Sequence, residues 1–216
     1  MRRKFDRENG IYWVTFATGL IFFLIFSGVF FIRLDFWTIF SATILGFLLI
    51  GLFIDPSFSH YVYLDFQEKV GKSVLLGFIS AGLLYGVFMA GNLILPRLLV
   101  EAPRNLASIY TLKSGSSGWR IGLFLTLIIA PGEELWWRGF LQRHWSVRLG
   151  KWPGMLVVAG LYAAVHLSTK NPVLVLAALV GGLWWGYQYL KYESLLSNVI
   201  SHLLCDLLVF LIFPFS

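Results

Sequence analysis

The sequence has one cysteine, Cys205, and few charged residues. A single thiol excludes an internal disulfide and a cysteine-based zinc cluster. Charged residues make up 13% of the chain, whereas soluble domains carry about 25%, so the composition excludes an ordinary soluble domain. The sequence also lacks a Walker loop, a dinucleotide-binding glycine motif and an HExxH zinc motif. We therefore expect no nucleotide or organic cofactor.

Long apolar segments account for most of the 216 residues, of which 58% are hydrophobic. A membrane-spanning helix needs about 20 mostly apolar residues. The predicted spans are 11–32, 36–54, 73–95, 120–141, 153–169, 173–190 and 194–213. The predicted fold class is therefore an all-α integral membrane protein, a polytopic bundle of about seven transmembrane helices.

Two polar segments separate these spans into groups. Residues 55–72 contain acidic and basic side chains and are expected to be aqueous or interfacial. The longest break, 96–118, contains prolines, charges and a Gly/Ser cluster, and is expected to be a long loop. It would divide three helices within 1–95 from four helices within 119–213. Neither half has a soluble core of its own, so we expect one membrane domain.

The lysines and arginines indicate the orientation, because they favour cytoplasmic loops. With the N-terminus inside, the inner side would collect 11 of them and the outer side six. The prediction is a cytoplasmic N-terminus and an outer C-terminus. The basic residues are scattered between apolar blocks, which argues against nucleic-acid binding despite the net charge of +6. The short chain with small loops suggests a prokaryotic cell membrane.

Ionisable residues inside a membrane are rare and usually functional. All the clear candidates lie on three segments of the second half: Glu133, Glu134, Arg138, His166, His202 and Asp206. Each segment shows a spacing of four residues, between Glu134 and Arg138, between Tyr162 and His166, and between His202 and Asp206. Glu134 and Arg138 share a helix face, which favours a structural ion pair. Glu133 points about 100° away from Glu134 and has no cation nearby in sequence. It is the candidate general base or metal ligand.

The two histidines suggest that Glu133 has partners. A lone histidine in a membrane helix often only links helices by hydrogen bonds. Two of them, His166 and His202, together with an unpaired carboxylate, favour a common site around one water or one metal ion. Because two histidines and a carboxylate form a known catalytic zinc set, Glu133, His166 and His202 are candidate zinc ligands.

Two other readings of the sequence have weaker support. The GSSG segment at 115–118 superficially resembles the serine motif of rhomboid proteases, but that reading leaves Glu133, Glu134 and Arg138 without a role. A proton-coupled transporter would need a continuous polar path through the membrane, and the first three spans contain almost no titratable group.

Three motifs of the second half resemble the CPBP family of intramembrane proteases, which includes CAAX proteases and bacteriocin-processing enzymes and is also called the Abi family. EELWWR at 133–138 fits the motif EExxxR, and YAAVH at 162–166 fits FxxxH with Tyr162 in place of phenylalanine. HLLCD at 202–206 fits HxxxN/D. The motifs occur in the family's order, and the similarity covers about residues 119–210.

The resemblance implies an endopeptidase whose active site lies inside the bilayer and whose substrate is a membrane-associated protein or peptide. Glu133 and His166 would activate the attacking water, while His202 and Asp206 would stabilise the oxyanion. An ionised Asp206 would repel that oxyanion. The alternatives are that Asp206 orients His202, that it is protonated, or that it helps to hold a metal. Glu134 and Arg138 would be supporting residues. A zinc-bound water and a glutamate-activated water both stay open, as does a non-catalytic scaffold or bacteriocin-immunity protein of the same fold.

Overall fold

The computed structural model describes residues 2–29 and 35–215, with side chains from Gly10 onward. Almost all of this part of the chain is helical, and it contains no strand. The predicted all-α membrane fold is confirmed in class. The end of the predicted first span, residues 30–32, and Arg33 lie outside the described residues.

Eleven α-helices follow one another along the described chain. The first five are α1 (Arg2–Phe26), α2 (Phe36–Ile54), α3 (Phe58–Gln67), α4 (Val70–Leu98) and α5 (Ala102–Tyr110). A continuous helical segment then contains α6 (Gly118–Phe124), α7 (Ala130–Glu134) and α8 (Arg143–Leu149), separated by π-helical turns at Leu125–Ile129 and Leu135–Gln142. The last three are α9 (Lys151–Val165), α10 (Pro172–Tyr192) and α11 (Leu195–Leu207).

Five helical stretches in the described residues are long and apolar enough to cross a membrane: Phe36–Ile54, Val70–Leu98, Lys151–Thr169, Pro172–Tyr192 and Leu195–Ile212. A sixth, Gly10–Phe26, is apolar but shorter. The predicted span at 120–141 is helical, but its π-helical turns and its four charged side chains set it apart from the five. The predicted number of seven spans is therefore not confirmed.

The two polar segments contain helices of their own. The 55–72 segment includes α3. The 96–118 segment, expected as a loop, includes the end of α4, all of α5 and a 3-10 turn at Thr111–Lys113. Pro103 lies in the first turn of α5, where a missing backbone N–H costs little. A cluster of prolines and charges thus marks helix boundaries rather than an unstructured connection.

One end of the bundle is held together by ion pairs between sequence-distant segments. Arg143 lies 3.4 Å from Asp55, and Lys151 lies 2.7 Å from Glu193. The Asp65 carboxylate accepts the backbone N–H of Leu195 at 2.9 Å. We call this end the Asp55 face.

The opposite end, which we call the Asp35 face, is joined by a second set of contacts. Arg120 donates to Asp35 at 2.7 Å, and the Asp35 side chain also caps the N-terminus of α2. The Trp37 indole donates to the backbone carbonyl of Leu112 at 2.9 Å. The Asn171 amide donates to the backbone carbonyl of Asn105 at 2.7 Å, which ties α5 to the start of α10.

The centre of the bundle brings the two halves of the chain together. An aromatic core joins α1 and α2 to the π-helical turn after α7, through Phe22, Phe47, Trp136 and Trp137. On the other side, α11 packs directly against α4, close enough that a Cβ on Gly77 would lie 2.6 Å from Ile200. These contacts place α7 and α11 next to each other in the interior.

Candidate active site

Glu133 and Glu134 occupy the end of α7, between two π-helical turns. Pro131 has no N–H to donate and crowds the carbonyl four residues before it, and the first π-helical turn ends just before this proline. Wider turns of this kind are often found at functional sites. The two adjacent carboxylates diverge from this helix, as a rotation of about 100° per residue requires.

Glu134 points into the protein and has partners from three positions. It accepts from Arg138 at 2.8 Å, its Oε1 lies 2.7 Å from His202 Nδ1, and its Oε2 accepts from Asn198 at 3.0 Å. Its side chain is fully buried. The ion pair predicted from the spacing of four is therefore present, and the same carboxylate also holds His202.

Arg138 is buried with its partner. Its guanidinium also reaches the backbone carbonyl of Gly182 at 3.4 Å and lies 5.1 Å from the centre of the Tyr162 ring and 5.5 Å from that of Trp185. A desolvated cation between aromatic faces is stabilised by the ring quadrupoles. The Glu134–Arg138 pair therefore connects α7 to α9 and α10.

His202 stands at the centre of the cluster. Its Nε2 lies 3.9 Å from Glu133 and 3.6 Å from Asp206, while its ring stacks on Trp185 with centres 3.8 Å apart. An ionised Glu134 can only accept hydrogen bonds, so Nδ1 carries a hydrogen and Nε2 faces the other two carboxyl groups. The imidazole is thus fixed in orientation by Glu134 and by the tryptophan.

His166 lies at the end of α9, where the helix tightens into the 3-10 turn His166–Thr169. Its Nδ1 lies 2.8 Å from the Tyr162 carbonyl, and its ring lies 4.1 Å from that of Phe26. A carbonyl can only accept, so Nδ1 donates, and Nε2 of the neutral ring is left as a proton acceptor. Within the described residues, no hydrogen bond or ion pair joins His166 to Glu133, His202 or Asp206.

A cavity of about 360 Å³ brings these four side chains to one space. Its walls are mostly apolar, and its polar side chains include Glu133, Tyr162, His166, His202 and Asp206. Glu134 and Arg138 are not among the lining residues. The two adjacent glutamates therefore have different surroundings: Glu133 faces the cavity, while Glu134 lies behind His202.

The candidate zinc set does not assemble in this arrangement. Among residues 2–29 and 35–215, no three His, Cys, Asp or Glu side chains are placed to hold one metal ion. Glu134 occupies Nδ1 of His202, and Nδ1 of His166 is bonded to the Tyr162 carbonyl. Zinc therefore stays a prediction.

Two residues of the cluster were not singled out from the sequence. Asn198 donates to both Glu134 and the backbone carbonyl of Trp185, at 3.0 and 2.8 Å. It lies four residues before His202, so its place on the same face of α11 was visible in the sequence. Trp185 lies on α10, and its stacking on His202 depends on helix packing that no local pattern reports.

Comparison with known proteins identifies the same part of the chain. Residues 115–208 match the family model described as type II CAAX prenyl endopeptidase Rce1-like. The second half of the chain carries the pattern of this protease family. The match contains all three motifs, so the resemblance to the CPBP intramembrane proteases is confirmed for this segment. No curated protein and no solved structure matches the chain.

Proposed function

We propose that the chain is an intramembrane endopeptidase of the CAAX-protease type, which hydrolyses a peptide bond in a membrane-associated protein or peptide. One observation carries the proposal: Glu133, His166, His202 and Asp206 come from three separate segments and line one apolar cavity. Ionisable groups are costly in such surroundings and are retained mainly where they act. The Rce1-like match supports hydrolysis as that action.

Glu133 is the proposed general base. It faces the cavity and forms no charge-assisted pair as close as that of Glu134, so its carboxylate can take a proton from the attacking water. The water oxygen then bonds to the carbonyl carbon of the substrate. When the carbon–nitrogen bond breaks, Glu133 returns the proton to the leaving amine. The free Nε2 of His166, which lines the same cavity, is suited to hold the water.

His202 is the proposed oxyanion donor. In its protonated form, Nε2–H faces the cavity while Nδ1–H remains bonded to Glu134. A donor held in place before the reaction stabilises the developing charge without reorganisation. Asp206, 3.6 Å from Nε2, would favour the protonated form of His202 and so serve the oxyanion indirectly. Glu134 and Arg138 would act as supporting residues.

The test is cleavage by the purified protein in liposomes. Two probes are used: a fluorescence-quenched peptide with a farnesylated CAAX terminus, and a pool of membrane-spanning peptides analysed by mass spectrometry. We expect the wild type to cleave at least one probe, and Glu133→Gln and His166→Ala to lose about 100-fold or more in rate. Glu193→Gln, which changes an exposed carboxylate at the Asp55 face, should retain activity.

Two outcomes would reject the proposal. One is a folded wild type that cleaves neither probe, which would favour the non-catalytic scaffold or immunity protein. The other is normal cleavage by both Glu133→Gln and His166→Ala. A zinc chelator added to the same assay separates the two water schemes, because only a zinc-bound water requires the metal.

A further inference from the structure

The cavity that contains Glu133 extends toward only one end of the bundle. Beyond the polar cluster, it is lined by side chains of the Asp35 face, among them Trp37, Pro96, Leu106, Leu112 and Val173. Helix α5 contributes to this wall. No residue of the contacts that define the Asp55 face lines the cavity.

The route from the Asp55 face is closed by a packed layer. The layer consists of Trp136, Trp137, Arg138, Phe140, Leu141 and Gln142, each at most 2% exposed. A separate cavity of about 650 Å³ lies at the Asp55 face and shares no lining residue with the first. Gln142 lies at the inner edge of that second cavity and donates to the Gly186 carbonyl at 2.9 Å. Within the described residues, the Glu133 cavity therefore reaches the surface at the Asp35 face and beside exposed apolar side chains of α4 and α10, such as Val87 and Leu176, but not at the Asp55 face.

The two faces differ in basic residues. By position in the sequence, ten lysines and arginines belong to segments of the Asp55 face, four of them before Gly10, and five belong to described segments of the Asp35 face. Arg33 lies outside the described residues. The seventeenth, Arg138, is buried in the cluster and does not count toward either face. Lys and Arg near the ends of spans are enriched on the cytoplasmic side, so the distribution assigns the Asp55 face to the cytoplasm.

We infer that the cavity opens on the extracytoplasmic side of the membrane and receives its substrate there. The substrate class is then an apolar peptide segment of an exported or membrane-inserted protein, because mostly apolar walls line the approach from α5 to Glu133. A lipid-modified C-terminus held on the cytoplasmic leaflet would meet the closed layer at Arg138 instead. The assignment of a substrate rests on the proposed function, whereas the direction of access does not.

Cysteine labelling in intact cells tests the orientation. Cys205 is buried, and Cys205→Ala provides a background without thiols. Two single cysteines are introduced separately into this background: Ala107→Cys on α5 and Ser59→Cys on α3. Both positions are exposed and lie on short helices at opposite faces. A membrane-impermeant maleimide should label the Ala107→Cys variant in intact cells, and the Ser59→Cys variant only after lysis. The reverse pattern, or equal labelling of both, overturns the inference.

A second pair of variants tests access to the cavity itself. Ala177→Cys lies in the wall of the Glu133 cavity and Ser146→Cys in the wall of the separate cavity, and both positions are half-buried. A small charged thiosulfonate added outside the cell should modify the Ala177→Cys variant several-fold faster than the Ser146→Cys variant. Faster modification of the Ser146→Cys variant, or equal rates, contradicts access from outside.

Activity provides the third readout and separates this inference from the proposed function. If the wild type cleaves a probe, a bulky thiol reagent on Ala177→Cys should block cleavage, and the same reagent on Ser146→Cys should not. If the wild type cleaves nothing while the labelling follows the expected pattern, the proposed function fails and the direction of access stands. If cleavage occurs but labelling is reversed, only the inference fails.

Discussion

The first four helices and the last six differ in what they bury. In the described part of α1–α4, the buried polar side chains are Thr18, Ser41, Asp65 and Ser73, with a single carboxylate among them. In α6–α11 and the turns between them, the buried set includes Glu133, Glu134, Arg138, His166 and His202. The first region therefore depends on apolar packing, and the second on a network of charges that must stay paired.

The difference shows how one bundle can combine a scaffold with a reactive centre. A buried hydroxyl such as that of Thr18 bonds to the carbonyl one turn earlier, at 2.7 Å, and needs no other helix. A buried carboxylate such as Glu134 needs partners from α11 and from its own next turn. Substitutions should therefore be most costly where a charge loses its partner.

The largest expected effect on stability comes from breaking the buried pair. Arg138→Met removes the cation and leaves the buried Glu134 carboxylate without its cationic partner. We expect this change to lower the free energy of unfolding by about 3–5 kcal/mol. Arg104→Met is the matched control, because Arg104 pairs with Glu101 at 3.2 Å with both side chains exposed. Arg104→Met should change the free energy of unfolding by no more than about 0.5 kcal/mol. Thermal unfolding of the protein in detergent measures both.

A double variant checks the cause. In Arg138→Met with Glu134→Gln, the uncompensated charge is gone, so part of the lost stability should return. If Arg138→Met alone is as stable as the wild type, the charged network does not support the second half, and the contrast between the two regions is wrong.

An intermediate effect is expected where the two regions touch. Gly77→Ala would place a Cβ 2.6 Å from Ile200 and 3.0 Å from the Ser197 carbonyl, and overpacking of this kind costs about 1–3 kcal/mol. Gly82 lies on the same helix with no atom within 4 Å of the new Cβ. Gly82→Ala should be neutral or stabilise by up to about 1 kcal/mol. Equal stability of the two variants in thermal unfolding would show that α4 and α11 do not pack this closely.

The smallest effect is expected at the Asp35 face. Partial burial tends to raise the pKa of Asp35, but the hydrogen bonds from Arg120 and Thr38 prevail and lower it. A carboxylate with a lowered pKa stabilises the folded state above its unfolded pKa, and this contribution is lost as the pH falls. Asp35→Asn keeps one oxygen that can cap α2, but it removes the charge and the second oxygen, which accepts from Arg120 and Thr38. It should cost at most about 1 kcal/mol near neutral pH.

The pH dependence of that difference is the sharper measurement. The stabilities of the wild type and Asp35→Asn should begin to converge below about pH 4, where an unfolded aspartate is protonated. The charge-dependent difference is fully lost only below the lowered pKa of Asp35 in the folded protein. If the stability difference between the two proteins grows on acidification, the predicted sign of the Asp35 contribution is wrong.

The sequence alone determined the class of the protein and the six ionisable residues of the cluster. Apolar segments of about 20 residues indicate membrane helices wherever they occur, and a spacing of four places Glu134 with Arg138 and His202 with Asp206 on common faces. These are local properties, so they can be read without a fold. The family pattern was visible for the same reason, since each of its motifs spans fewer than two helical turns.

Tertiary packing decided how those faces meet. Only the approach of α11 to α7 places His202 between Glu133 and Glu134, and only the packing of α10 brings Trp185 onto the imidazole. The closed layer around Arg138 and the single direction of the cavity depend likewise on contacts between distant segments. PGEELWWRGF at 131–140 shows both levels. Helix periodicity separates its two glutamates, while the neighbouring helices decide that one faces a cavity and the other is buried in a network.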